Sequence, residues 1–188
     1  TAGTLSGTFD GTRYINGPFA RVFTASRTAG TNGNYDNSTL YPISKGAIYM
    51  PLNIDPTTNS GGAILIRGEA FTSNNGTPGT GISTLSSKRW ETQVSEGATN
   101  FTSAYVRFGD IDILSTNNIL QASTPAGVYG LAPATTNYSA GTPNTLATST
   151  MILAANFTGY FSFGNPIPCL APSGQPTGLL TTSITSSS

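Results

Sequence analysis

The sequence predicts an all-β protein: a single antiparallel β-sandwich, with a jelly roll as one form of it, long Gly/Asn/Pro loops and almost no helix. Three observations predict this. Apolar residues recur at every second position in one segment after another, the period of a half-buried strand. Clusters of Gly, Pro and Asn separate those segments where the backbone must reverse. No stretch of useful length carries apolar residues at helical spacing. At 188 residues the chain is long enough for one well-cored domain, residues 1–188.

The elements follow in chain order. Leu5 and Phe9 share one side of an alternating opening segment, and Asp10-Gly11 carries the hairpin signal of a type I′ turn, whose two central residues need positive φ. Gly17-Pro18 breaks the chain before a strand in which Phe19, Arg21 and Phe23 share a face. Residues 29–39 read as a Gly/Asn loop. Residues 47–71 read as a hairpin. In it Ile48, Met50, Leu52 and Ile54 alternate with Tyr49, Pro51 and Asn53, a turn-rich run covers 55–62, and residues 63–71 return.

Residues 73–81 read as a surface loop, and 88–94 as a strand with Trp90, Thr92 and Val94 opposite Arg89, Glu91 and Gln93. A strand over 103–114 has mixed faces, with a bulge expected near Gly109. Asn117 to Gln121 reads as one helical turn and 124–144 as loop. From Met151 to Phe163 the odd-numbered residues, Phe157 and Phe161 among them, fall on one face, expected to be buried against Ile64 and Ile66. That run exceeds the usual strand of about 3–10 residues, which predicts a bend at Gly159 or membership of two sheets.

Charge excludes several classes. Only 9% of residues are charged, against roughly 25% in an average soluble domain. Eight basic and eight acidic residues balance to zero, and no Lys/Arg cluster exceeds Lys88-Arg89. Nucleic acid is therefore not expected as a partner, since its binding rests on clustered cations that neutralise phosphates. No apolar run approaches the ~20 residues that span a bilayer. Cys169 is the only cysteine, so no disulfide can form within the chain, and it reads as a small apolar residue in a Pro-rich segment.

Chemistry is sparsely represented. The chain has no His, which removes Ser-His-Asp and Cys-His catalysis and imidazole metal ligands. Glu69, Glu91, Glu96, Asp110 and Asp112 supply carboxylates of the kind a glycosidase pairs across a cleft, but Trp90 is the sole tryptophan to line one. Arg67 with Glu69, and Arg89 with Glu91, read as ion-pair ladders on a strand surface. Asp110 and Asp112 read as a solvated strand face, without the further oxygen ligands calcium needs. The run Gly76–Gly81 lacks the Lys and the helix of a phosphate loop. No catalytic activity, metal or cofactor is expected.

Five acceptor patterns for N-glycosylation occur, at Asn37, Asn75, Asn100, Asn137 and Asn156. Tyr14, Tyr35, Tyr41, Tyr129 and Tyr138 fall in segments read as loops, where they could stack on sugars or a partner. The chain opens on Thr1, not Met, which fits a removed signal segment and an extracellular or cell-surface setting. The expected role is a structural subunit of an extracellular, pilus-like filament, assembled from copies of itself by β-strand addition. Its strand-competent ends, 1–9 and 179–188, would supply Leu5 and Phe9, or Leu180 and Ile184, to a neighbour. A carbohydrate-binding or adhesin module, with glycans or a host surface as partner, is the alternative. A capsid or coat protein of jelly-roll type is a further one.

Overall fold

The computed structural model describes residues 9–24, 28–58, 61–134 and 136–168. The terminal segments containing Leu5, Cys169, Leu180 and Ile184 lie outside the described residues. Within them the chain is almost entirely β and sandwich-like. One sheet has seven strands, in the spatial order Phe19–Phe23, Ile64–Phe71, Arg89–Glu96, Gly159–Gly164, Asn118–Ala122, Val128–Leu131 and Thr77–Pro78. The other has the order Thr136–Ser139, Asn144–Thr148, Phe101–Asp110, Leu52–Thr58 and Leu40–Tyr41, with Ile152–Leu153 also paired to Phe101–Asp110. A small third sheet joins Ile15–Asn16, Ile43–Lys45 and Ile48–Tyr49. Most pairs are antiparallel, but Ile15–Asn16 with Ile43–Lys45, and Val128–Leu131 with Thr77–Pro78, are parallel, so the sandwich is not purely antiparallel.

Alternation places the core. Along Ile64–Phe71 burial switches at every residue: Ile64, Ile66, Gly68 and Ala70 point in, while Leu65, Arg67, Glu69 and Phe71 are half-covered outside. Trp90 and Thr92 point in from the next strand, as their spacing predicts, and so do Ala104, Val106 and Phe108 from the facing sheet. Aromatic rings close the gap between sheets. Trp90 lies 5.1 Å from Phe108, and Phe161 stacks on Phe108 at 5.3 Å and 29°. Phe157 and Phe161 are buried as expected, but the strands of Ile64 and Phe161 belong to the same sheet, so Ile64 and Ile66 do not oppose Phe161.

Several local expectations are corrected. The 47–71 segment is not a hairpin: Leu52–Thr58 and Ile64–Phe71 lie in different sheets, so the turn between them crosses the sandwich. Ile48 is partly exposed, whereas Asn53, expected on the polar side of the strand, and Asp55, expected in the turn-rich run, are buried. Asp55 accepts the backbone N–H groups of Gly30 and Asn34 and so anchors the loop over that sheet. Asp10-Gly11 forms a turn without positive φ. The Asp10 carboxylate accepts the Thr12 N–H and hydroxyl instead, a side-chain-stabilised turn. Asn118–Ala122 is a strand, not a helical turn, and the 124–144 region carries two strands and the start of a third. The register shift in Phe101–Asp110 falls between Phe101 and Ser103 rather than near Gly109. Tyr41 and Tyr129 are fully buried, and of the five tyrosines read as exposed only Tyr138 reaches the surface substantially.

The Met151–Phe163 run does serve both sheets. It breaks at a helical turn, Ala154–Phe157, with Ile152–Leu153 in one sheet and Gly159–Gly164 in the other. The turn also resets the alternation: Ile152 points in and Leu153 out, the reverse of the expected phase, whereas Phe157, Phe161 and Phe163 point in. Gly159, at φ +157°, follows this break with its would-be Cβ against the Ala122 carbonyl.

Candidate functional site

The outer face of the six-stranded sheet carries a cleft of about 370 Å³. Its floor is Asn53, Arg107 and Gly109, outward residues of neighbouring strands. Its walls are Tyr35–Asn37 on one side and Ser139–Thr145, including Pro143, on the other. Arg107 is set by three contacts. Nε and Nη2 both donate to the Asn53 Oδ1, at 3.2 and 2.9 Å, and Nη2 also donates to the Tyr35 carbonyl at 3.1 Å. The guanidinium lies over the Tyr35 ring, 4.6 Å from its centre. Burial lowers the Arg107 pKa, with Tyr35 and Tyr49 opposing that shift, and burial pushes the hydroxyls of Tyr35 and Tyr49 up to about 12.

Of the four residues expected to make assembly contacts, Phe9 is the one inside the described residues, and it lines this cleft. The cleft also borders an edge strand. Thr136–Ser139 pairs with Asn144–Thr148 on one side, and no other strand pairs with it among the described residues. Asn137, Tyr138 and Ser139 are all exposed.

Four of the five carboxylates singled out from sequence form two groups, and Glu96 stands exposed at the end of its strand. Glu69 and Glu91 face each other across paired strands on the outer side of the seven-stranded sheet, with Arg67 bridging both. Arg67 pairs with Glu69 as the sequence predicts, but Arg89 instead lies 4.4 Å from the centre of the Phe71 ring and 5.8 Å from that of Tyr160. Asp110 is not on a solvated face. It is fully buried, and Lys88 Nζ donates to its Oδ1 at 2.8 Å and Oδ2 at 2.9 Å, and to Asp112 Oδ2 at 2.8 Å. The strand ends at Asp110, and Asp112, in the turn beyond, is exposed. Among the described residues no group of three His, Cys, Asp or Glu is placed to hold a metal ion.

Four of the five glycosylation acceptors, Asn37, Asn75, Asn137 and Asn156, are exposed; Asn156 lies in the helical turn and not on a strand. Asn100 is half-buried, with its Nδ2 donating to the Ala63 carbonyl at 3.5 Å. Two residues central to these clusters, Arg107 and Lys88, had not been singled out from sequence. Lys88 had a legible signal, because it shares strand parity with Trp90 and Thr92 and so points inward. Arg107 had none beyond being a cation on a mixed strand.

The fold and surface define an all-β sandwich with an exposed edge beside a polar-aromatic cleft. No family model, curated protein or solved structure matches this chain.

Proposed function

We propose that the chain is a structural subunit of a self-assembling extracellular filament, joined by β-strand addition and without a catalytic role. The observation that carries this reading is the exposed Thr136–Ser139 edge, whose last residue lines the same cleft as Phe9. An edge strand offers unpaired N–H and C=O groups to an incoming strand. Side chains of that strand then alternate into neighbouring pockets, and Leu5 and Phe9, four residues apart, fall on one face. Exchanging a segment between identical subunits reuses contacts made within one chain, so the segment ending at Phe9, which stands at this cleft, is the one proposed to pass to a neighbour. Head-to-tail repetition of such a contact builds an open filament.

Electron microscopy of the full chain, and of chains lacking residues 1–9 or 179–188, tests this. Filaments from the full chain and their loss in one truncation are expected. A full chain that stays monomeric at high concentration overturns the reading. The cleft then favours a carbohydrate-binding module, because Tyr35, Tyr49, Asn37, Asn53 and Arg107 combine aromatic faces with hydrogen-bonding groups. Glycan-array binding that is lost in Arg107→Ala would establish that second reading.

A further inference from the structure

We propose that Lys88 and Asp110 form a covalent cross-link between the two sheets, the lysine amine and the aspartic acid condensing to an amide with loss of water. The chain has only two lysines. Lys45 is half-exposed and lies 3.8 Å from Glu69. Lys88 is the other, with 9% of its side chain exposed, against an Asp110 side chain that is fully buried. Two residues along each strand, Trp90 and Phe108 meet across the core at 5.1 Å. Lys88 and Asp110 therefore form the next rung of the same ladder, at the rim of the interior beside the exposed Asp112, where the buried pair loses much of its solvation.

The geometry suits condensation. Nζ lies 2.8 and 2.9 Å from the two Asp110 oxygens, which holds the amine against the carboxyl group whose carbon it would attack. Asp110 Oδ1 also accepts the Asp112 N–H at 2.8 Å, which marks it as the oxygen retained in the amide. Oδ2 has no second donor among the described residues and is the one that leaves. Asp112 Oδ2, on Nζ at 2.8 Å, is placed to carry protons. The Lys88 backbone is held by the Ser86 and Ser162 hydroxyls.

The atoms balance. The ammonium brings three protons: one remains on the amide nitrogen and two pass, through Asp112 or directly, to Oδ2, which departs as water. The Nζ–Cγ bond forms, the Cγ–Oδ2 bond breaks, and no oxidant or other reactant is required. Burial lifts the Asp110 carboxyl above its ordinary range and so favours the neutral acid. Burial also works to lower Lys88, but its contacts with Asp110 and Asp112 outweigh this and hold the ammonium. Proton transfer to Asp110 is thus the step that releases the nucleophile. The inference stands apart from the assembly reading.

Mass spectrometry tests it on the full chain, made in a bacterial cytoplasm so that no glycan is attached. The intact mass should be one water below that of the sequence. Trypsin should leave residues 68–89 joined to the fragment 108–188, because an acylated Lys88 is not cleaved. Lys88→Arg keeps a cation but cannot form this amide, and should return the mass of its own sequence. Asp112→Ala, altered at an exposed side chain, should cross-link more slowly. A wild-type mass equal to that of the sequence overturns the proposal, as does water loss confined to the Asp10-Gly11 peptide. Asp112→Ala that cross-links as fast as wild type removes Asp112 from the mechanism.

Discussion

Trp90 Nε1 donates to the Met50 carbonyl at 3.1 Å, tying the centre of the seven-stranded sheet to the segment that enters Leu52–Thr58 in the facing one. Both residues are fully buried, so the carbonyl has no access to water as a substitute partner. Trp90→Phe should therefore destabilise by about 1–3 kcal/mol for the unsatisfied carbonyl, with a further loss from the smaller ring. Urea unfolding followed by circular dichroism measures this. A change within about 0.5 kcal/mol, the scale of a surface substitution, would be incompatible with the buried bond.

Phe161 stacks on Phe108 between the sheets and is fully buried. Phe161→Ala should cost about 3–5 kcal/mol, because the rigid strands on either side cannot collapse into the space. The same unfolding experiment applies, with an unchanged m-value confirming that the native state alone is affected.

Burial pushes the hydroxyls of Tyr35, Tyr49 and Tyr129 up to about 12 from an ordinary 10.0. The folded protein holds these protons more tightly than the unfolded chain does. Their contribution to stability is complete below pH 10.0 and is lost as pH rises toward about 12. Ultraviolet titration should show a late group of phenolates, and denaturation midpoints should fall through that window. Titration of all eight tyrosines near the ordinary value in the folded protein would contradict it.

Gly97 has φ +67°, and a Cβ there would meet the Ala63 carbonyl oxygen. Gly97→Ala combines left-handed strain, of about 1–2 kcal/mol, with a backbone clash that no side-chain rotation relieves. Thermal unfolding should fall well below wild type. By contrast Gly46→Ala, at φ +62° with open space around it, should show the strain alone, and equal effects at the two sites would argue against the clash.

Period-two alternation is a local property, and in the longer strands it determined which side chains share a face: Phe19, Arg21 and Phe23, or Trp90 and Thr92, follow from spacing because successive side chains point to opposite faces. The double membership of residues 151–163 was legible too, since the run is longer than one strand sustains. Which strands share a sheet was not. Leu52–Thr58 and Ile64–Phe71 look like a hairpin by alternation, yet the intervening turn crosses between layers, because alternation fixes a strand's faces and leaves its edge partners open. Short strands such as Thr136–Ser139 have too few residues to show a period and exist because Asn144–Thr148 offers an edge. The phase reversal at Ile152 required the helical turn after it. Lys88 immediately precedes Arg89–Glu96 and Asp110 ends Phe101–Asp110 in the other sheet, and only the packing of one layer on the other brings the amine to the carboxylate. The cleft around Arg107 likewise draws on segments from Phe9 to Thr145, brought together by sheet pairing and by the loop that Asp55 anchors.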